Sequence, residues 1–152
     1  MRRFVLLATM GALAMTGCAT TARTGRGDAR IDIIAHRGAS AKAPENTLAA
    51  FRLAHDLRAD WFELDCTLTS DGEVVCIHDG TVDRTTNATG EVAKMTLADL
   101  KQLDAGAWKH PDYAGEPLPT LAETLDFARG NIGVYIEIKN SADDTKLMQD
   151  IG

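Results

Sequence analysis

The 152-residue chain has no apolar run long enough to cross a bilayer, no surplus of positive charge, no internal repeat and only three cysteines. Each shortage excludes something. A spanning helix needs about 20 apolar residues, and the longest candidate, Phe4 to Met15, falls short. Sixteen Lys and Arg against 22 Asp and Glu leave a formal charge of −6. An acidic balance of this kind is a poor match for nucleic acid, so no nucleic-acid partner is expected. The absence of low-complexity sequence beyond a short N-terminal stretch leaves enough chain for one domain with a real core.

The N-terminus reads as a targeting segment. Met1-Arg2-Arg3 is basic, Phe4 to Met15 is apolar, and small residues precede Cys18. The pattern resembles a bacterial lipoprotein signal over residues 1–17, with Cys18 as the lipid-modified first residue of an exported, envelope-anchored protein. Met15 stands where such signals more often carry Leu, and an ordinary secretory signal with an incidental Cys is the alternative. Removal of Arg2 and Arg3 would take the charge from −6 to −8. Residues 18–30 have no apolar period and read as a flexible tether. Export makes a disulfide between the remaining Cys66 and Cys76 permissible, not required.

From residue 31 onward, apolar strand-like runs end in ionisable groups. Ile31 to Ala35 runs into His36-Arg37-Gly38, Trp61-Phe62 into Glu63-Leu64-Asp65, Val74 to Ile77 into His78-Asp79, and Val134 to Ile136 into Glu137-Ile138-Lys139. Buried strands have little tolerance for charge, so the charged ends are expected to converge on one site. Between them, a helix is predicted from Glu45 to Leu57, with Leu48, Phe51, Leu53, Ala54 and Leu57 as its core face. Thr96 and Asp99, and again Thr120 and Glu123, have capping-box spacing, so short helices are predicted over 96–103 and 120–128. Gly130 ends the second. Ile132 to Ile138 is a predicted strand, and Ser141 opens a last helix. Asp83 to Glu91 reads as a polar loop.

Asp71-Gly72 marks a hairpin. A two-residue turn pairs Ser70 with Glu73 and places Asp65 opposite His78. A three-residue loop with a glycine bulge slips the register by one, so that Cys66 faces Cys76. The first register is expected, because a disulfide between directly paired neighbouring strands is geometrically awkward. The order of elements predicts an α/β fold with a parallel sheet covered on both faces. Groups at the C-terminal ends of strands fit a TIM-like (β/α) barrel, with an open doubly wound sheet as the alternative.

Glu63 and Asp65, two apart on a strand, share a face. Adjacent carboxylates repel unless a cation lies between them, and oxygen ligands favour Mg²⁺ or Ca²⁺ over zinc. Glu137, expected to be buried in an apolar strand, strengthens that reading, although a salt bridge to Lys139 or Arg37 would also explain it. His36 and His78 have the chemistry to exchange protons near neutral pH. Arg37 offers a forked donor set suited to phosphate oxygens and Lys139 a point charge. Gly38 would let backbone approach a ligand closely.

His36-Arg37-Gly38, Pro44-Glu45-Asn46-Thr47, Glu63-Leu64-Asp65, Asp71-Gly72, His78-Asp79, Pro119-Thr120-Leu121 and Glu137-Ile138-Lys139 stand in the order and spacing of the glycerophosphodiester phosphodiesterase family, which the chain resembles from about Ile31 to Asn140. The resemblance implies a TIM-like barrel and hydrolysis of a small-molecule glycerophosphodiester to glycerol 3-phosphate and an alcohol. It also implies one divalent ion, Ca²⁺ or Mg²⁺, held by Glu63, Asp65 and Glu137. His36 and His78 would be the acid–base pair, and Arg37, Lys139 and Glu45 would lie against substrate or phosphate. Asp79 would orient His78 or cap a turn. Glu45 could equally be a helix N-terminal acid, and Asn46 and Thr47 loop and cap residues. A related phosphodiesterase acting on lysophospholipid or phosphoinositide, and a non-catalytic cation-binding surface lipoprotein, are the alternative readings. A closed barrel needs about 250 residues, so residues 31–152 are expected to form only its N-terminal part. The sequence says nothing of oligomeric state.

Overall fold

A computed structural model describes residues 31–139. The predicted signal segment, the tether with Cys18 and the helix expected from Ser141 lie outside the described residues.

The sheet is built around β2 (Trp61–Leu68). β1 (Ile34–Ala35) runs parallel to it, Ile34 opposite Trp61. β4 (Gly133–Ile138) runs parallel along its full length, setting Glu137 opposite Asp65. β3 (Val74–Cys76) returns antiparallel. Trp61 pairs with both β1 and β4, and Cys66 with both β3 and β4. So β4 takes one edge of β2, while β1 and β3 share the other end to end. β1 is shorter than expected because the Asp60 carboxylate takes the Ile33 N–H at 2.9 Å, away from the ladder.

Strand alternation divides β2 into two chemistries. Phe62, Leu64 and Cys66 are fully buried under α1 (Leu48–Asp56) and α3 (Leu121–Ala128). Phe51 stacks on Phe62 with ring centroids 4.3 Å apart. Burying a side chain of this size contributes roughly 1.5–3 kcal/mol. Glu63 and Asp65 fall on the other face. Helix α1 begins at Leu48 because Thr47 caps it, accepting the Ala50 N–H. Its buried face is Ala50, Phe51 and Ala54, while Leu57 is exposed. Both predicted capping boxes form: Thr96 with Asp99 on α2 (Leu97–Leu100), and Thr120 with Glu123 on α3.

Between β3 and α3 the chain makes a long excursion over its own small core of Val75, Ile77, Val82, Val92, Leu100, Ala105 and Leu118. The excursion is tied to the first turn of α1 and to the segment before it. Glu116 accepts the Ala49 N–H at 2.9 Å, and the Lys109 ammonium donates to the Ser40 carbonyl at 2.6 Å.

The hairpin adopts the register that was not expected: Cys66 lies opposite Cys76, and the Ile77 N–H reaches the Asp65 carbonyl at 3.0 Å. The turn decides this. Thr69 and Glu73 pair through backbone at 2.9 Å, Gly72 N–H closes on the Thr69 carbonyl at 3.1 Å, and Gly72 sits at φ +84°. A turn followed by a left-handed glycine makes a three-residue loop with a bulge, favoured by the hydroxyl of Thr69, which accepts the Glu73 N–H at 2.9 Å. His78 is therefore not the strand partner of Asp65. The facing cysteines remain free thiols. Burial pushes Cys66 up to about 11 and Cys76 up to about 12, so both stay protonated at neutral pH.

Candidate active site

The acidic cluster is a product of register. Glu63 and Asp65 share the outer face of β2, and β4 brings Glu137 alongside Asp65. One oxygen from each carboxylate lies within 4.8 Å of the others. Asp65 is buried, with a side chain 1% exposed, whereas Glu137 is 55% exposed. The buried acid is thus Asp65; Glu137 stands on the open face of the edge strand β4, not in an apolar interior as its neighbours suggested.

Three devices hold the cluster together. Asn46, itself buried, clamps Asp65 twice: its amide donates to Oδ2 at 2.9 Å and its carbonyl oxygen accepts the Asp65 N–H at 3.1 Å. Arg37 contributes its backbone N–H to Glu63 Oε2 at 2.8 Å and its guanidinium to Glu45 Oε1 at 2.9 Å. Lys139 places its ammonium 2.9 Å from Asp65 Oδ1 and hydrogen-bonds Glu137. Arg37 and Asn46 both adopt positive φ, +54° and +56°, conformations that non-glycine residues hold only when their surroundings enforce them.

The donor set suits a hard divalent cation. It consists of oxygen alone, and Glu63 Oε1 and Asp65 Oδ1 are buried acceptors without a hydrogen bond. The Lys139 ammonium is near enough to Asp65 Oδ1 to balance charge, but it is not aligned as a hydrogen-bond donor to that oxygen. Any cation here shares Asp65 and Glu137 with Lys139.

The two histidines sit differently. His36 directly follows β1, is largely exposed, and has Nε2 3.9 Å from Glu63 Oε2. His78 has Nδ1 2.6 Å from Asp79 Oδ1. Asp79 is held down at about 2, first by Arg84 and then by His78, against the opposing effect of burial. An ionised carboxylate can only accept, so His78 carries its proton on Nδ1 in this contact. Arg84 also grips Glu45, and Glu45 in turn meets Arg37. A continuous chain of charged contacts therefore runs from His78 through Asp79, Arg84, Glu45 and Arg37 to Asp65.

Glu45 lies at the centre of that chain, with both oxygens engaged by guanidinium groups. Its carboxyl is held low, by Arg84 foremost, then by Arg37, against burial. Asn46 and Arg84 carried no expectation as site residues. Nothing in a polar loop or a pre-helix Asn identifies them locally, since Asn46 meets Asp65 across 19 residues and Arg84 meets Glu45 across 39. Gly38 serves packing: at φ +74°, a Cβ there would stand 2.8 Å from the Ala50 backbone, so the close approach is to α1. Cys18 lies outside the described residues.

Comparison with known proteins agrees with this arrangement. Residues 36–149 match the glycerophosphoryl diester phosphodiesterase family. The chain belongs to that family. It is 44% identical over 119 residues to the glycerophosphodiester phosphodiesterase of Bacillus subtilis, covering 73% of this chain and 41% of that one. Over 109 residues it is 51% identical to the glycerophosphodiester phosphodiesterase of Caldanaerobacter subterraneus, covering 71% and 45% respectively. The crystal structure of the glycerophosphodiester phosphodiesterase from Agrobacterium tumefaciens superimposes with a TM-score of 0.75 at 44% identity, covering 79% of this chain and 52% of that one. A phosphodiesterase from Oleispira antarctica, in complex with the product sn-glycerol-3-phosphate, superimposes with a TM-score of 0.71 at 43% identity, covering 74% and 46%. The chain spans about half the length of the relatives it matches. Its parallel strands and covering helices are the N-terminal part of a TIM-like barrel, with the charged cluster at the C-terminal ends of β1 and β4 and in the middle of β2, which runs on into the hairpin.

Proposed function

We propose that this protein hydrolyses glycerophosphodiesters to glycerol 3-phosphate and an alcohol. The observation that carries the reading is the convergence of Glu63, Asp65 and Glu137 within 4.8 Å, with Arg37 and Lys139 on the same carboxylates. Family membership and the product named for the Oleispira structure support it.

Glu63, Asp65 and Glu137 would hold one divalent ion, Ca²⁺ or Mg²⁺. When bound, such an ion neutralises charge that grows on phosphate oxygens during cleavage. Arg37 and Lys139 bring fixed positive charge to the same oxygens. His36 and His78 move the protons: one removes a proton from the attacking hydroxyl, and the other protonates the departing alkoxide. The attacking oxygen comes from water, giving glycerol 3-phosphate directly, or from the neighbouring glycerol hydroxyl, giving a cyclic phosphate that water then opens. Asp79, on Nδ1 of His78, leaves Nε2 as the nitrogen for proton exchange. Glu45 acts from behind, holding Arg37 in place.

The test is glycerol 3-phosphate release from glycerophosphocholine by the full-length protein with Ca²⁺, with Mg²⁺ and with chelator. Release that chelator abolishes and either ion restores is the expected result. No release from a folded, cation-bound protein would overturn the reading.

We also propose that residues 1–17 are a signal segment, 18–30 a tether and 31–152 the catalytic portion. The protein would then be exported and lipid-anchored to the bacterial envelope at Cys18. The basic start, the apolar run and the small residues before Cys18 support this. Replacing Cys18 with Ser is expected to move the protein from the membrane fraction to the soluble one; retention on membranes would refute the anchor.

A further inference from the structure

Two segments that are distant in sequence meet at one side chain in the loop after β3. Arg84 donates from Nη1 to Glu45 Oε2 at 2.9 Å and from Nη2 to Glu45 Oε1 at 2.8 Å. The same guanidinium donates from Nε to Asp79 Oδ2 at 2.7 Å and from Nη2 to Asp79 Oδ1 at 3.2 Å. Both carboxylates are met by two donors each, on residues 39 and 5 positions away. An isolated ion pair with a side chain 43% exposed contributes little. Arg84 differs in that all three guanidinium nitrogens donate and its partners are themselves engaged: Asp79 with His78, and Glu45 with Arg37. A lysine, with one compact charge, cannot span the two carboxylates in this way.

From this geometry we infer that Arg84 is a positioning residue for His78. It holds Asp79 with both oxygens fixed, so that Oδ1 stays on Nδ1 of the imidazole. Proton location and ring orientation are then set, and Nε2 is left for proton exchange. Through Glu45, it also pins the loop carrying His78 to the loop carrying Arg37. The charged groups in contact with His78 and its partner are Asp79 and Arg84. The inference rests on the proposed role of His78 as a proton carrier. In the sequence Arg84 is one basic residue in a polar loop, and only the folded chain brings it to Glu45.

The experiment compares full-length wild type with Arg84→Met, Arg84→Lys and Asp79→Asn. Two readouts are taken: kcat and KM for glycerophosphocholine hydrolysis, and the imidazole ¹⁵N shifts of His78, which report its tautomer. Arg84→Met is expected to lower kcat by about 10- to 100-fold, with KM changed less than about twofold. The shifts are expected to move from a single Nδ1–H form to a mixture. Arg84→Lys should behave like Arg84→Met. If Arg84→Met does not fold, Asp79→Asn is expected to give the same tautomer mixture with Arg84 still present, and a further Arg84→Lys change should leave that mixture unaltered. A folded Arg84→Met protein with the wild-type tautomer overturns the inference, whatever its kcat. So does a further change in the His78 tautomer mixture when Arg84→Lys is added to Asp79→Asn. The ¹⁵N readout registers the hold on His78 whether or not this diester is turned over. A failure of the proposed reaction is thereby told apart from a failure of the inference.

Discussion

At the scale of single residues, the site is a contest over Asp65. It is fully buried, yet it is approached by Arg37, Lys139 and Asn46, and its Oδ1 still lacks an aligned donor. Lys139 is the partner that a bound cation must live with, because its ammonium touches Asp65 and Glu137 together. Replacing Lys139 with Gln removes one positive charge from the surroundings of the carboxylates. With the lysine side chain 26% exposed, solvent screening keeps that change to ~1 kcal/mol, or roughly fivefold in affinity. Ca²⁺ should therefore bind about fivefold tighter to Lys139→Gln than to wild type by calorimetry, even as turnover falls through loss of the proposed phosphate contact. Weaker or unchanged Ca²⁺ affinity would place the cation away from Asp65 and Glu137.

At the scale of elements, the loop from β1 to α1 depends on glycine at one point. Gly38 combines φ +74° with a Cβ position 2.8 Å from the Ala50 carbonyl carbon. Gly115 has φ +85° and open space around its Cβ position. Gly115→Ala therefore meets only backbone strain, about 1 kcal/mol. Gly38→Ala adds a clash with a helix backbone that cannot yield, so it should cost about 3 kcal/mol or more. Urea unfolding of the two variants checks this. Equal losses would mean that α1 shifts away from the loop freely, which would also loosen Thr47 and Asn46.

Most elements could be read from the sequence because their causes are local. Thr47, Thr96 and Thr120 cap helices through bonds to the next turn, and the alternation of Phe62, Leu64 and Cys66 with Glu63 and Asp65 shows which face is apolar. The hairpin register was not legible, because Asp71-Gly72 fits two loops and the Thr69 hydroxyl breaks the tie through the Glu73 N–H. The exposure of Glu137 was missed for a different reason: apolar neighbours in a strand announce burial of one face, not of both. Asn46 and Arg84 act across sequence separations at which no periodicity operates. The charged residues after apolar runs told where the site is, although Glu63 and Asp65 lie in the middle of β2 and not at its end; the supporting residues needed the fold.

At the scale of the whole molecule, carboxylates pulled below their usual range recur across the described residues, and they make acid stability a global property. Asp79 is held at about 2, by Arg84 first. Glu45 is lowered by Arg84, Asp71 by the Thr69 hydroxyl, Asp99 by Thr96, and Asp104 by the backbone N–H groups of Ala107 and Gly106. In the unfolded chain these groups take up protons near their ordinary values of 3.8 for Asp and 4.5 for Glu. Between those values and about 2, the unfolded state binds more protons than the folded state, so acid drives unfolding. The contribution is complete above about pH 5 and lost as pH falls toward 2. The urea midpoint should therefore be level from pH 7 to 5 and drop steadily from pH 4.5 to 3. Arg84→Met separates the Asp79–Arg84–Glu45 chain from the rest. Without Arg84, Asp79 and Glu45 return toward their ordinary values. The variant should start from a lower midpoint at pH 7 and lose less of it on acidification than wild type does. Parallel curves for the two proteins would mean that the chain of charged contacts adds nothing to acid stability, leaving the decline to carboxylates held by hydroxyl and backbone donors.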